Sequence, residues 1–120
     1  VGSCHHNVDN LIATIDYNGQ QIDGPTEKVM SLGDLGAKYK AFGWNVMEVQ
    51  DGNDMEQMVA ALEKAKSMTG KKQPIMILMK TEMGAGVDFM MGSHKWHGVA
   101  PNDDQLKVAL NQLEETLGDY

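Results

Sequence analysis

The chain has 120 residues, 42% hydrophobic and 22% charged, with a formal net charge of −7. That length and balance predict one ordinary globular domain able to bury its own core, and argue against two domains or a disordered chain. Its 17 Asp and Glu against 10 Lys and Arg argue against nucleic-acid or anionic-membrane partners, which need clustered cations, and no apolar run approaches the roughly 20 residues of a membrane helix. The single cysteine, Cys4, cannot form an internal disulfide; with no secretory leader pattern in view, a reducing cytoplasm is the expected compartment.

Residues 1–10 lack a periodic pattern and read as a start that has been cut into; the pair His5-His6 is a remnant of a preceding helix or incidental, with no catalytic role. Residues 10–15 are apolar and β-branched, and their near-continuous hydrophobicity predicts a parallel strand covered on both faces. A long connection follows, then a helix over 31–43 with Ser31 as N-cap candidate and Gly43 as terminating glycine. Residues 44–49 alternate as a second strand does, and Asp51-Gly52 turns the chain.

Asp54-Met55-Glu56-Gln57 reads as a capping box opening a helix whose apolar stripe is Met58, Val59, Ala61, Leu62, Ala65 and Met68, with Gly70 ending it. Pro74 then leads into the apolar run 75–79, a buried parallel strand with Lys80 at its carboxyl end. Residues 81–100 hold glycines, methionines, two histidines and a tryptophan with no clear period, a loop long enough to expect function of it. Pro101-Asn102-Asp103-Asp104 opens a last helix with Leu106, Val108, Ala109, Leu110, Leu113 and Leu117 on its apolar face and Gly118 beyond. The element order predicts an α/β fold: helices layered on a parallel sheet joined by right-handed crossovers.

Ligands in such folds gather beyond the carboxyl ends of the strands. Asn18-Gly19-Gln20 and Lys80 with its glycine-rich loop fall on that same edge. Asn18 needs no ligand to be explained, since Asn-Gly is a favoured tight turn, but its amide oxygen and a neighbouring backbone carbonyl are hard donors that Mg²⁺ or Ca²⁺ accepts. His94 and His97 could share a metal only on a helix, which the flanking glycines oppose.

Asp16-Tyr17-Asn18-Gly19, followed by Ile22-Asp23-Gly24-Pro25-Thr26-Glu27, resembles the thiamine diphosphate loop of transketolases. The stretch Gly92-Ser93-His94-Lys95-Trp96-His97-Gly98-Val99-Ala100-Pro101 resembles that family's histidine loop, with one residue inserted before the proline. Lys80-Thr81 with Gly84-Ala85-Gly86, Phe42-Gly43-Trp44-Asn45-Val46 and Asp51-Gly52-Asn53-Asp54 resemble further landmarks in the same order, from about residue 10 to the end.

The resemblance implies a three-layer parallel sheet of the thiamine diphosphate-binding type, residues 1–120 forming an incomplete part of that domain. It implies that Asn18 and the Gln20 carbonyl hold Mg²⁺ or Ca²⁺ against the cofactor diphosphate, that His97 is catalytic and reaches both diphosphate and donor sugar, and that Lys80 offsets diphosphate charge. His94 is expected to play a structural role. The activity implied is transfer of a two-carbon ketol unit between sugar phosphates in the pentose phosphate pathway, the cofactor supplying the carbanion chemistry.

The family's acidic ligand, in a Gly-Asp-Gly triplet, is expected upstream of Val1, and the pyrimidine-binding half on another segment or subunit. These residues alone are therefore expected to be inactive, and the sheet edges left open favour a homo-oligomer. The sister enzymes 1-deoxyxylulose-phosphate synthase and dihydroxyacetone synthase stay open as alternatives, as does a non-catalytic α/β interaction module.

Overall fold

The run Ile75–Lys80 forms the central strand of a parallel sheet, because it is the one segment apolar enough to be covered on every side. In the computed structural model, which describes residues 1–114, this strand (β5) lies between β1, Ile12–Tyr17, and β4, Asn45–Val49. Ile12 pairs with Ile75 and Tyr17 with Lys80 on one side, Asn45 with Ile75 and Val49 with Met79 on the other, all parallel. Pro74 and Ile75 to Leu78 are buried.

Side chains alternate across a strand, so β5 feeds two different layers. Ile75 and Ile77 pack with Val49 and Ala65, with Met47, Met58, Ala61, Met68 and Ile12 around them; this is the face covered by helix α4, Met55–Ser67. Leu78 points to the opposite face, where it lies beside Gly36 of helix α3, Leu35–Ala41. Helices on both faces of a parallel sheet give the α/β fold that the element order predicts, in the three layers that the resemblance implies.

Several boundaries differ from the expectation for local physical reasons. The first strand runs over Ile12–Tyr17 rather than 10–15, because pairing with β5 holds it to Lys80. It is not covered on both faces: Thr14 and Asp16 are exposed, since β1 is the outer strand. The helix expected over 31–43 begins at Leu35, capped by Asp34, whose Oδ1 accepts the Ala37 N–H at 2.8 Å. Gly33 at φ +56° interrupts any earlier helical turn, and Ser31 instead donates to Glu27 Oε2 at 2.8 Å.

At α4 the Asp54 cap forms as expected, accepting from Glu56 and Gln57 N–H. The box does not close, because Gln57 donates Nε2 to Asp54 Oδ2 at 2.9 Å and turns its Oε1 toward the Asp51 N–H, at 3.3 Å. The Gln57 amide, with the two backbone N–H groups, holds the Asp54 carboxyl below its ordinary value. Val59 and Leu62 lie outside the core, at 54% and 42% exposure, so the buried stripe is narrower than expected.

Helix α5, Asp103–Gln112, has a complete capping box between Asn102 and Gln105. Among the described residues of its expected apolar face only Ala109 is buried; Leu106, Val108, Leu110 and Leu113 stay exposed. Leu117 and Gly118 lie outside the described residues. Three further elements are too short for periodicity to announce: helix α1, Gly2–His5, helix α2, Thr26–Val29, and a hairpin of β2, Gln20–Gln21, with β3, Gly24–Pro25.

Candidate functional site

Three strand ends converge on one edge, and each is tied to a neighbour there. After β4 the chain turns through Gly52, whose N–H donates to the Lys80 carbonyl of β5 at 2.6 Å. Only glycine allows this approach: a Cβ on Gly52 would stand 2.6 Å from Thr81 Cγ2 and 2.9 Å from Met79 Cβ. Asn53 follows and accepts the Glu82 N–H on its Oδ1 at 2.8 Å, so β4 and β5 are stitched just past their ends. Thr81 in turn donates its hydroxyl to Asp16 Oδ1, tying β5 to β1.

Asn18 sits one residue beyond β1. Its Oδ1 accepts the Gln20 N–H at 2.9 Å, and its Nδ2 lies 3.4 Å from Asp16 Oδ2. The first contact is an Asx turn. Gly19 takes φ +69°, and its carbonyl accepts both the backbone N–H and the hydroxyl of Thr26 at 2.9 Å, which folds the hairpin back. Asn-Gly is therefore a tight turn, as its residue types alone predict, and the turn also presents an amide oxygen at the carboxyl edge of the sheet.

The loop after β5 brings His97 to this edge. Ser93 Oγ caps a short 3-10 turn, His94–Trp96, and Trp96 Nε1 donates to the Phe89 carbonyl at 2.9 Å with the two rings 5.3 Å apart. His97 leaves the turn exposed, its N–H bonded to the His94 carbonyl at 3.0 Å. Strand β3 of the hairpin packs against the same turn. The result is an open cleft of about 350 Å³ lined by Asp16, Asn18, Asn53, Thr81, Glu82, Met83 and His97.

Asn18 and His97 thus line the same cleft. Lys80 does not: it has the parity of Leu78, bonds Gln50 Oε1 through Nζ at 2.9 Å, and lines a separate hollow with Tyr17, Asp34 and Glu48. The cleft is built without it. Gly84 and Gly86 do allow close approach, but to the protein's own side chains, since a Cβ would stand 2.6 Å from Met90 Cβ and 2.8 Å from Leu113 Cδ2 respectively. His94 and His97 are not drawn into a metal centre, and no group of three or more His, Cys, Asp or Glu among the described residues is arranged to hold a metal.

Asp16, Thr81 and Asn53 are among the lining residues to which the sequence alone assigned no part. The signal was present, because each is a polar residue at the carboxyl end of a parallel strand. Gln20 Oε1 is buried with no hydrogen-bond partner among the described residues, and Gln20 is not part of the cleft's lining. The amide oxygens of Asn18 and Asn53, with the carboxylates of Asp16 and Glu82 in the same lining, suit a hard cation, which takes oxygen ligands and can draw the rest from phosphate and water.

A parallel sheet with a polar cleft at its carboxyl edge defines a cofactor- or substrate-binding α/β domain. Residues 2–117 match the family described as "Transketolase, thiamine diphosphate binding domain", and the chain belongs to that family. It is 38% identical over 112 residues to one of the subunits of apulose-4-phosphate transketolase from Phocaeicola vulgatus, covering 93% of this chain and 39% of the relative. It is 40% identical over 108 residues to the SqwG subunit of 6-deoxy-6-sulfo-D-fructose transketolase from a Clostridium species, covering 90% and 38%. Among solved structures, transketolase from Campylobacter jejuni superposes with a TM-score of 0.80 at 30% identity, over 92% of this chain and 17% of that one. The Pichia stipitis transketolase complex with sedoheptulose 7-phosphate gives 0.79 at 34% identity, over 89% and 15%. The chain thus spans less than two-fifths of these subunit relatives and under one-fifth of these solved transketolases.

Proposed function

We propose that these residues form part of the thiamine diphosphate site of a transketolase that moves a two-carbon ketol unit between sugar phosphates. The observation that carries this reading is the meeting of Asn18 and His97 in one cleft at the sheet's carboxyl edge, lined also by Asp16 and Thr81. Asn18 Oδ1 and the Gln20 backbone carbonyl would hold Mg²⁺ or Ca²⁺ against the diphosphate, the remaining ligands coming from phosphate, water and residues outside this chain. His97, exposed on its loop, would donate a proton or hydrogen bond toward diphosphate and donor-sugar oxygens. Thiamine diphosphate, when bound, supplies the carbanion-stabilising chemistry; the chain's residues bind and orient.

Two relatives are named as transketolase subunits, which favours a pyrimidine-binding half on a second polypeptide. Their names carry different sugars, so the donor is the variable part of the reading and ketol transfer the constant one. The test is ketol transfer from xylulose 5-phosphate to ribose 5-phosphate by the complete protein with its partner half, with other ketose phosphates as further donors. Asn18→Ala and His97→Ala are each expected to lower turnover about 10–100-fold with little loss of stability, because both residues sit in loops. Wild-type turnover in both variants would remove the two residues from the site.

A further inference from the structure

We infer that Asp16 is a positioning residue for the metal-binding amide, holding the Asn18 side chain with its oxygen turned toward Gln20, and that Thr81 holds Asp16 in place. The inference rests on the proposed metal–diphosphate site and assigns a part to two residues that do not themselves ligate there. An ionised carboxylate only accepts hydrogen bonds and a backbone N–H only donates. Asp16 Oδ2 therefore selects the nitrogen of the Asn18 amide, 3.4 Å away, while the Gln20 N–H selects its oxygen, 2.9 Å away. A flipped amide would set oxygen against carboxylate and donor against donor. The amide is thus aligned from both ends before any cation arrives, and the oxygen keeps a second lone pair for a ligand.

Asp16 on its own is exposed and could swing away from Asn18. The Thr81 hydroxyl, donating to the other carboxylate oxygen, prevents this and links the amide's orientation to the end of the central strand. Thr81 is itself fixed, because it shares the parity of Met79 and packs beside Gly52. Residues that orient a metal ligand through such bonds are worth about 10–100-fold in metal affinity.

The experiment measures, by calorimetry on the complete protein with its partner half, the Mg²⁺ or Ca²⁺ concentration that half-saturates thiamine diphosphate binding. Asp16→Asn, which can donate as well as accept, is expected to raise that concentration about 10-fold or more. Asp16→Glu keeps the charge but displaces it and is expected to weaken the metal as well. Thr81→Val should raise the requirement several-fold, and Thr81→Ser, which restores the hydroxyl, should return it to the wild-type value. Thermal unfolding without metal separates this from a loss of fold, and the two Thr81 variants keep the test open if Asp16→Asn does not fold. An unchanged requirement in Asp16→Asn or Thr81→Val overturns the inference, and so does wild-type behaviour of Asp16→Glu, which would leave charge alone as the cause. If the wild-type protein itself binds thiamine diphosphate without any metal dependence, the site reading fails, and the inference with it.

Discussion

Gly52→Ala tests whether the cleft's floor depends on backbone contact between two strand ends. The new methyl would stand 2.6 Å from Thr81 Cγ2, 2.9 Å from Met79 Cβ and 3.1 Å from the Lys80 carbonyl oxygen, all inside ordinary contact distance. Two of these neighbours belong to β5 itself, so the turn must move rather than the strand. Overpacking of this kind costs about 1–3 kcal/mol. Displacing the turn also lengthens the Gly52 N–H to Lys80 carbonyl bond, now 2.6 Å, at about 1 kcal/mol. The expected loss of about 2–4 kcal/mol should lower the melting temperature by several degrees, read by circular dichroism on the complete protein. Gly70→Ala is the control, because Gly70 has φ +78° and open space where its Cβ would stand, so it reports backbone strain without a clash. A melting temperature in Gly52→Ala equal to wild type would refute the close approach and with it the stitched edge.

Asn102→Ala removes the side-chain cap of α5, whose Oδ1 accepts the Gln105 N–H at 2.9 Å; a loss of about 1 kcal/mol is expected in denaturant unfolding. The Asp54 carboxyl is held below its ordinary 3.8 by the Gln57 side chain first and by the Glu56 and Gln57 N–H groups next. A depressed folded value contributes stability above 3.8 that is lost as pH falls through the lower folded value. Asp54→Asn should therefore flatten that part of the pH–stability curve, and an unchanged acid limb would show that the cap carries none of it. In hydrogen exchange, the amides of Gly52 and Glu82, bonded across strands at 2.6 and 2.8 Å, should be protected longer than those of loop 92–98; comparable rates would mean that the strand ends are not held.

The central strand, both long helices and the edge that carries the cleft were legible because each has a strong local signal. Pro74 followed by five apolar residues can hardly be anything but a buried strand, and Asp54 and Asn102 announce their helices by cap chemistry. The hairpin at Gln20–Pro25 was not legible, since two-residue strands of Gln-Gln and Gly-Pro carry no period. Reading β1 as ending at residue 15 left Asp16 in a turn and concealed its bond to Thr81. Lys80 attracted a cofactor role by charge, but alternation along β5 sends it to the α3 side with Leu78, and Thr81 to the cleft with Met79. Parity, given the register of one strand, separates a cleft-lining residue from its neighbour better than residue type does.

The cleft's two sides are held by different means, and this bears on how the site would work. Asp16, Asn53 and Thr81 are held by bonds that run between adjacent strand ends, and Asn18 by local bonds to Asp16 and the Gln20 N–H. His97 instead hangs from a glycine-bearing loop anchored by the Trp96 indole on Phe89 and by contact with the hairpin. Segments with few buried contacts open locally at low cost, whereas those built into a core open only with the whole domain. In the proposed site the metal would need fixed ligand spacing, while a histidine that followed the sugar through binding and release would gain from being able to move. On that proposal the side tied to the sheet would carry the oxygen donors, and the side that can yield would carry the histidine.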